Sequence, residues 1–74
     1  MRKEEKIMRD INRLYNFYDK LRENHIKLPD WRFGQFILNF ISWYYTKYHT
    51  EIFYIEDTEM LLAIEEFVNE TITR

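Results

Sequence analysis

The chain holds two histidines and no cysteine, so few of its residues could bind a metal or attack a substrate. His25 and His49 lie in predicted connectors and lack the close pairing that places two metal ligands on one helix face. Gly34 is the only glycine, so no glycine-rich loop exists to bind a phosphate, and no serine, histidine and acid form a recognisable triad. We therefore expect a non-enzymatic protein without catalytic residues, metal or cofactor, and we interpret both histidines as surface residues.

A short polar motif is the most distinctive part of the sequence. Arg32 falls in the first turn of a predicted helix, where the helix dipole disfavours a cation, so we expect Glu56 or Asp57 at the start of the third helix to pair with it. Gly34 would allow a close backbone approach, and nearby amide side chains could bond the connector backbone. The predicted structural or interaction network consists of Arg32, Gln35, Asn39, Ser42, Trp43 and Asp57.

The same residues carry a resemblance. Residues 29–35 read Pro-Asp-x-Arg-x-Gly-Gln, Asn39 follows, and residues 53–57 read Phe-Tyr-x-Glu-Asp. This pattern resembles a group of short uncharacterised proteins of bacteria and their phages, over about residues 28 to 62. The chain departs from that group in its aromatic segment 42–48. The resemblance implies a helical fold and a domain of unknown function, and it supplies no activity.

The elements that must position this motif are helices, since one glycine and one proline leave little turn chemistry for a sheet. The first helix is predicted from Glu4 to Asn24, with apolar residues spaced 4, 3, 4, 3 along a core face. The second begins at Pro29 or Asp30, because proline suits a first helical position, and runs to about Tyr48. The core face of the first helix comprises Ile7, Ile11, Leu14, Tyr18 and Leu21.

A third helix is predicted from Thr58 to about Thr73, with Asp57 as its N-cap. Its core stripe would hold Leu61, Ile64, Val68 and Ile72, and its solvent face would hold Glu59, Glu65, Glu66 and Glu70. Before it, four β-branched or aromatic residues at 52–55 favour an extended segment. We expect one all-α domain of residues 1–74: three helices with a short extended segment before the third.

The second helix predicts self-association. Its apolar residues cover well over half of its circumference, and the remainder is a polar stripe without charge. We expect a second copy of the chain to pack there, giving a homodimer. The competing interpretation is that residues 50–55 fold back over the polar stripe within one chain. The polar stripe consists of Gln35, Asn39, Ser42 and Thr46.

The charges are laid out unevenly around a net charge of −2. Residues 1–27 hold eight Lys or Arg against five Asp or Glu, whereas residues 50–74 hold one Arg against seven acids. The acids that interrupt the basic first helix argue against nucleic-acid binding. The longest uncharged run, residues 33–46, is 14 residues and too short for a membrane span. The absence of cysteine favours a cytoplasmic location.

These observations predict a non-enzymatic protein-interaction module, a bacterial or phage accessory or inhibitor protein whose protein partner is not indicated. The alternative is a small DNA-associated regulator that acts as a dimer through its basic first helix. A third class is an acidic decoy that presents the last helix to a nucleic-acid-binding enzyme.

Overall fold

The computed structural model describes residues 10–74, which form three α-helices. These are α1 (Asn12–His25), α2 (Phe33–Tyr48) and α3 (Asp57–Thr73). Residues 10–74 contain no β-strand, so the prediction of a small all-α fold is confirmed. No helix in this part of the chain is long and apolar enough to cross a bilayer.

The segment between α2 and α3 is a single 3₁₀ turn, Ile52–Tyr54, where the sequence favoured an extended conformation. Tyr54 donates its backbone N–H to the Glu51 carbonyl, and Ile55 donates to the Ile52 carbonyl, both at 3.2 Å. β-branched and aromatic residues prefer the extended state when a neighbouring strand receives their backbone groups. Without such a strand the segment closes hydrogen bonds on itself.

The predicted first helix included residues 10 and 11, which precede α1 in the structure. Glu4, the predicted first residue, lies outside the described residues. Asp10 stands before the helix, where its side chain accepts the Asn12 backbone N–H at 3.0 Å and its carbonyl accepts that of Arg13 at 3.1 Å. The helix ends at His25, one residue beyond the prediction.

The predicted start of α2 at Pro29 or Asp30 is wrong, because successive turns occupy residues 26–31 and the helix begins at Phe33. Trp31 donates its backbone N–H to the Leu28 carbonyl at 3.1 Å, which places the proline inside a tight turn. Arg32 is extended and forms the N-cap, and its backbone N–H is accepted by the Gln35 side chain at 2.9 Å. A side chain at the third helical position that accepts the N-cap backbone N–H is part of a capping box, and it indicates the helix start more strongly than a proline does.

The N-cap of α3 is Glu56, one residue before the predicted Asp57, which is the first residue of the helix. The Glu59 side chain accepts the Glu56 backbone N–H at 3.4 Å, as in a capping box. Asp57 still lies in the first turn, where an acid interacts favourably with the helix dipole.

The core forms where α2 meets α3, and Phe67 is at its centre. The ring of Phe67 lies 5.5 Å from that of Trp43 and 5.7 Å from that of Phe40, both of α2. Of the predicted α3 stripe, Ile64 and Val68 are buried, whereas Leu61 is half-buried and Ile72 is exposed. The buried apolar residues of the described part of the chain are Phe36, Phe40, Ala63, Ile64, Phe67 and Val68.

α1 and α2 contact α3 at different places. The start of α1 meets the start of α3 through Arg13 and Asp57, so these two helices run the same way. α2 contacts the second half of α3, where Lys47 binds Glu66 and Glu70. α3 packs against both of the other helices, which share far fewer contacts with each other.

Candidate interaction surface

The expected pair between Arg32 and an acid at the start of α3 does not form. Asp57 is bound to Arg13 of α1 instead, and the exposed Arg32 caps α2 through its backbone. The reason is that α2 contacts the second half of α3, around Phe67, whereas Asp57 is the first residue of that helix. A 3₁₀ turn rises only about 2 Å per residue, so the connector cannot carry the chain back along α2.

Gly34 provides no close approach within this chain, since a Cβ added there would meet no heavy atom within 4 Å. Trp43, which the sequence assigned to the structural or interaction network, faces α3. Its ring packs on Phe67, and its indole N–H donates to a carboxylate oxygen of Glu70 at 2.9 Å. Trp43 therefore belongs to the internal packing of α2 on α3.

Four polar side chains join α2 to α3 around Trp43, and we call them the Lys47 network: Lys47, Tyr48, Glu66 and Glu70. The ammonium group of Lys47 lies 2.6 Å from a Glu66 carboxylate oxygen and also binds Glu70. The Tyr48 hydroxyl donates to the other Glu66 oxygen at 2.6 Å. The ammonium also lies 5.1 Å from the centre of the Trp43 ring, within cation–π range.

The Lys47 network shifts the titration of its members. Hydrogen bonds from Lys47, then from Tyr48, lower the pKa of Glu66, and those from Lys47, then from Trp43, lower the pKa of Glu70. The same contacts raise the pKa of Lys47, and the bond to Glu66 raises that of Tyr48. All three charges are therefore fixed at neutral pH.

The sequence placed Glu66 and Glu70 on a solvent face, and their role in helix packing was missed. The usable signal was their spacing of four residues on α3 combined with Lys47, the one charged residue of α2. Like charges four residues apart on a helix repel each other, and a cation on a neighbouring helix relieves this repulsion. Lys47 is the only cation that α2 offers. Glu65, by contrast, is exposed as predicted.

Both histidines have structural positions. His25 is half-buried rather than a surface residue: its Nε2 lies 2.8 Å from the Trp31 carbonyl oxygen, and its ring lies 4.7 Å from that of Phe36. His49 ends α2 in the left-handed conformation and donates its backbone N–H to the Tyr45 carbonyl at 2.7 Å. Among residues 10–74, no three His, Asp or Glu side chains are grouped so that they could hold a metal ion.

The polar stripe of α2 is exposed along its whole length. Asn39 and Ser42 line a depression of about 350 Å³ whose other walls include Trp31, Thr71 and Arg74. The interpretation that residues 50–55 fold back over the polar stripe is wrong. The 3₁₀ turn packs against α2 on another side, beside Ile41 and Tyr45.

A neighbouring side of α2 exposes large apolar residues, and we call it the α2 outer face. Leu38, Ile41 and Tyr45 follow one another at spacings of three and four, so they share one face of the helix. Phe53 of the 3₁₀ turn continues it across a depression of about 440 Å³. Lys47 is turned towards α3, and the charge that borders this face is the carboxylate of Glu51, which lines the same depression.

The first helix also exposes apolar residues, three of which the sequence assigned to the core face: Ile11, Leu14 and Tyr18. Together with the exposed Tyr15 we call them the α1 stripe. The residues that α1 turns inwards are Phe17, Leu21 and Asn24, and Asn24 is the most buried of these. The Asn24 side-chain amide is satisfied by the Lys20 carbonyl at 3.0 Å. α1 is therefore rotated about its axis so that a side other than its most apolar stripe faces the rest of the protein.

No protein-family model, curated protein or solved structure matches this chain at a significant level. The resemblance to short bacterial and phage proteins consequently stays a prediction.

Proposed function

We propose that this protein is a non-enzymatic protein-interaction module that works as a homodimer through α2. The observation that carries the proposal is the α2 outer face, where Leu38 is 67% exposed and Phe53 is 82% exposed in a chain of only 74 residues. Large exposed apolar patches on small proteins mark interaction sites. The bordering polar stripe adds amide and hydroxyl groups without charge, so two such surfaces can meet without repulsion.

The wider role is proposed on sequence grounds. A cytoplasmic location fits a chain without cysteine. The role of bacterial or phage accessory or inhibitor protein follows from the resemblance of residues 28–62. Neither affects the contact on α2, which depends on the exposed residues alone.

The DNA-associated regulator gains no support as an alternative. Arg13, one of the basic residues on which it depends, is bound to Asp57, and Arg9 lies outside the described residues. We expect weak or no binding of duplex DNA at physiological salt, because the net charge is −2. Tight, salt-dependent binding that is lost when Arg9 and Arg13 are changed to Glu would favour the regulator instead.

Light scattering after size exclusion tests the dimer. The wild-type protein should have twice the mass of the 9.4 kDa chain at micromolar concentration. Asn39→Arg and Ser42→Arg place a cation on the polar stripe that borders the contact and should each halve the mass without loss of helicity. Asn69→Arg, at an exposed position of α3, is the matched control and should remain dimeric. A wild-type mass of one chain at all micromolar concentrations would reject the proposal.

A further inference from the structure

Two of the exposed apolar surfaces of the described residues have the same pattern. On the α1 stripe, Ile11, Leu14 and Tyr18 are spaced by three and four residues. On the α2 outer face, Leu38, Ile41 and Tyr45 repeat that spacing. Alternating steps of three and four produce the seam of a helix that packs lengthwise against another helix. Within one chain the two seams remain apart, because α1 and α2 each pack on α3 and share few contacts.

We propose that the α1 stripe of each copy packs on the α2 outer face of the other copy, in a reciprocal, two-fold symmetric dimer. The inference rests on the proposed function and names the partner surface of α2. Such a contact is closed, since each copy offers one α1 stripe and one α2 outer face and receives the same from its partner.

The exposed area favours this pairing over a contact between two α2 outer faces. Four aromatic side chains on the two surfaces expose together about 500 Å² per copy, taking about 200 Å² for one whole side chain. A stable interface buries about 800 Å² per partner, and the aliphatic residues of both surfaces supply part of the difference. The four are Tyr15, 64% exposed, Tyr18, 58%, Tyr45, 53%, and Phe53, 82%.

A contact between two α2 outer faces would cover only Tyr45 and Phe53, about half of that aromatic area. It would also leave the α1 stripe in water. The reciprocal contact covers both surfaces in one step, so the larger covered area favours it.

The charges are compatible with the same arrangement. α1 holds three basic residues against two acids, and Arg13 among them is bound to Asp57, so the helix has little excess charge. Lys47, the only charged residue of α2, is held by α3, and Glu51 lines the depression of the α2 outer face. An α1 helix laid on this face therefore meets one carboxylate beside it.

Two variants of opposite charge test the pairing in the full chain. Tyr18→Glu alters the α1 stripe, and Leu38→Arg alters the α2 outer face. Each variant alone should have half the wild-type mass in light scattering, because either change disrupts both of the symmetry-equivalent contacts of the dimer. When the two variants are mixed in equal amounts, the doubled mass should return. One contact of the mixed dimer then sets Glu against Arg, and the other is wild type.

Controls separate folding from association. Leu62→Arg changes an α3 residue that is 68% exposed, almost the same as Leu38, and should remain dimeric. Circular dichroism must show unchanged helicity, and Tyr15→Glu replaces Tyr18→Glu if that variant loses helix. The chain carrying both Tyr18→Glu and Leu38→Arg should also dimerise.

Other outcomes overturn the inference. If Leu38→Arg halves the mass and Tyr18→Glu leaves the dimer intact, the α2 outer faces meet each other, and only the proposed function survives. If Tyr18→Glu alone halves the mass, the α1 stripes meet each other. Folded variants that stay monomeric when mixed would show that the two surfaces do not face one another. A monomeric wild type would reject the proposed function together with this inference.

Discussion

At the scale of single residues, Lys47 holds two acids of α3. The pKa values of Glu66 and Glu70 lie below the ordinary 4.5, and the hydrogen bonds from Lys47 are the largest cause in both cases. An acid with a lowered pKa stabilises the folded chain at pH values above 4.5. This contribution disappears as the pH falls through the folded-state pKa, because the protonated acid no longer attracts the cation.

Changing Lys47 to Met should therefore weaken the acid dependence of stability. We expect a lower urea midpoint at pH 7 and a smaller loss of stability between about pH 5 and pH 2 than in the wild-type protein. Some pH dependence should remain, since Tyr48 and Trp43 still donate to the two acids.

The matched control for this change is Lys20→Met. Lys20 is exposed and pairs with Glu23 of its own helix at 3.7 Å, a contact that contributes little. It should leave both the midpoint and its pH dependence unchanged. Identical pH profiles for Lys47→Met and the wild-type protein would contradict the role assigned to Lys47.

Arg32 acts through its backbone, and this changes what its substitution should do. From the sequence, an Arg32 paired with a buried acid would have made Arg32→Ala costly. The exposed side chain instead predicts a change in unfolding free energy of no more than about 0.5 kcal/mol. Gln35→Ala should cost more, about 0.5 to 1.5 kcal/mol, because it removes the acceptor of the Arg32 N–H. Urea unfolding of both variants checks the order, and a larger loss for Arg32→Ala would contradict it.

At the scale of elements, periodicity predicted the existence of the helices better than their ends. The apolar residues of α2 and α3 repeat at helical spacing over several turns, so one misassigned residue does not change the prediction of a helix. The start of α2 was missed because Pro29 and Asp30 fit a helix start and also fit a turn. What decides is the bond between Gln35 and Arg32, and the sequence alone does not rank that bond above the proline.

Element packing was the part that periodicity could not supply. The spacing of α1 identifies its apolar stripe, but Phe17 and Asn24 face α3 in place of Tyr18. An apolar stripe shows what a helix can bury, and the arrangement of the other helices determines whether it does so. The candidate network failed for a similar reason: Arg32 and Asp57 were assigned to each other without knowledge of helix direction. The sequence placed Gln35, Asn39 and Ser42 on one face of α2, and the structure shows that these residues are exposed.

Gly34 provides a test at the element scale. It lies in the first turn of α2 with a negative φ, and a Cβ would enter open space. Alanine loses less backbone entropy on folding, so Gly34→Ala should raise the unfolding free energy by about 0.5 to 1 kcal/mol. The measurement belongs in the Ser42→Arg background, where dimer contacts do not contribute. A loss of stability there would mean that the glycine is needed for the fold of the single chain.

At the scale of the whole molecule, the core is small for the apolar content of the chain. Among residues 10–74, six residues are buried and apolar, while apolar residues make up 46% of the full sequence. A domain of this size is expected to be marginal when it folds alone. Part of the apolar surface therefore lies on the exposed α1 stripe and α2 outer face, where a second copy can remove it from water. The free energy that stabilises the protein should come partly from folding and partly from association.

This sharing predicts that stability depends on protein concentration. When folded dimers unfold to separate chains, each tenfold increase in concentration favours the dimer by about 1.4 kcal/mol. The urea midpoint of the wild-type protein should therefore rise steadily between about 1 and 100 μM. Ser42→Arg should show a lower midpoint that is the same at every concentration, because its unfolding involves one chain. Asn69→Arg should follow the wild-type protein. A wild-type midpoint that does not change with concentration would mean that the single chain carries its full stability and that its exposed apolar surfaces are not covered by another copy.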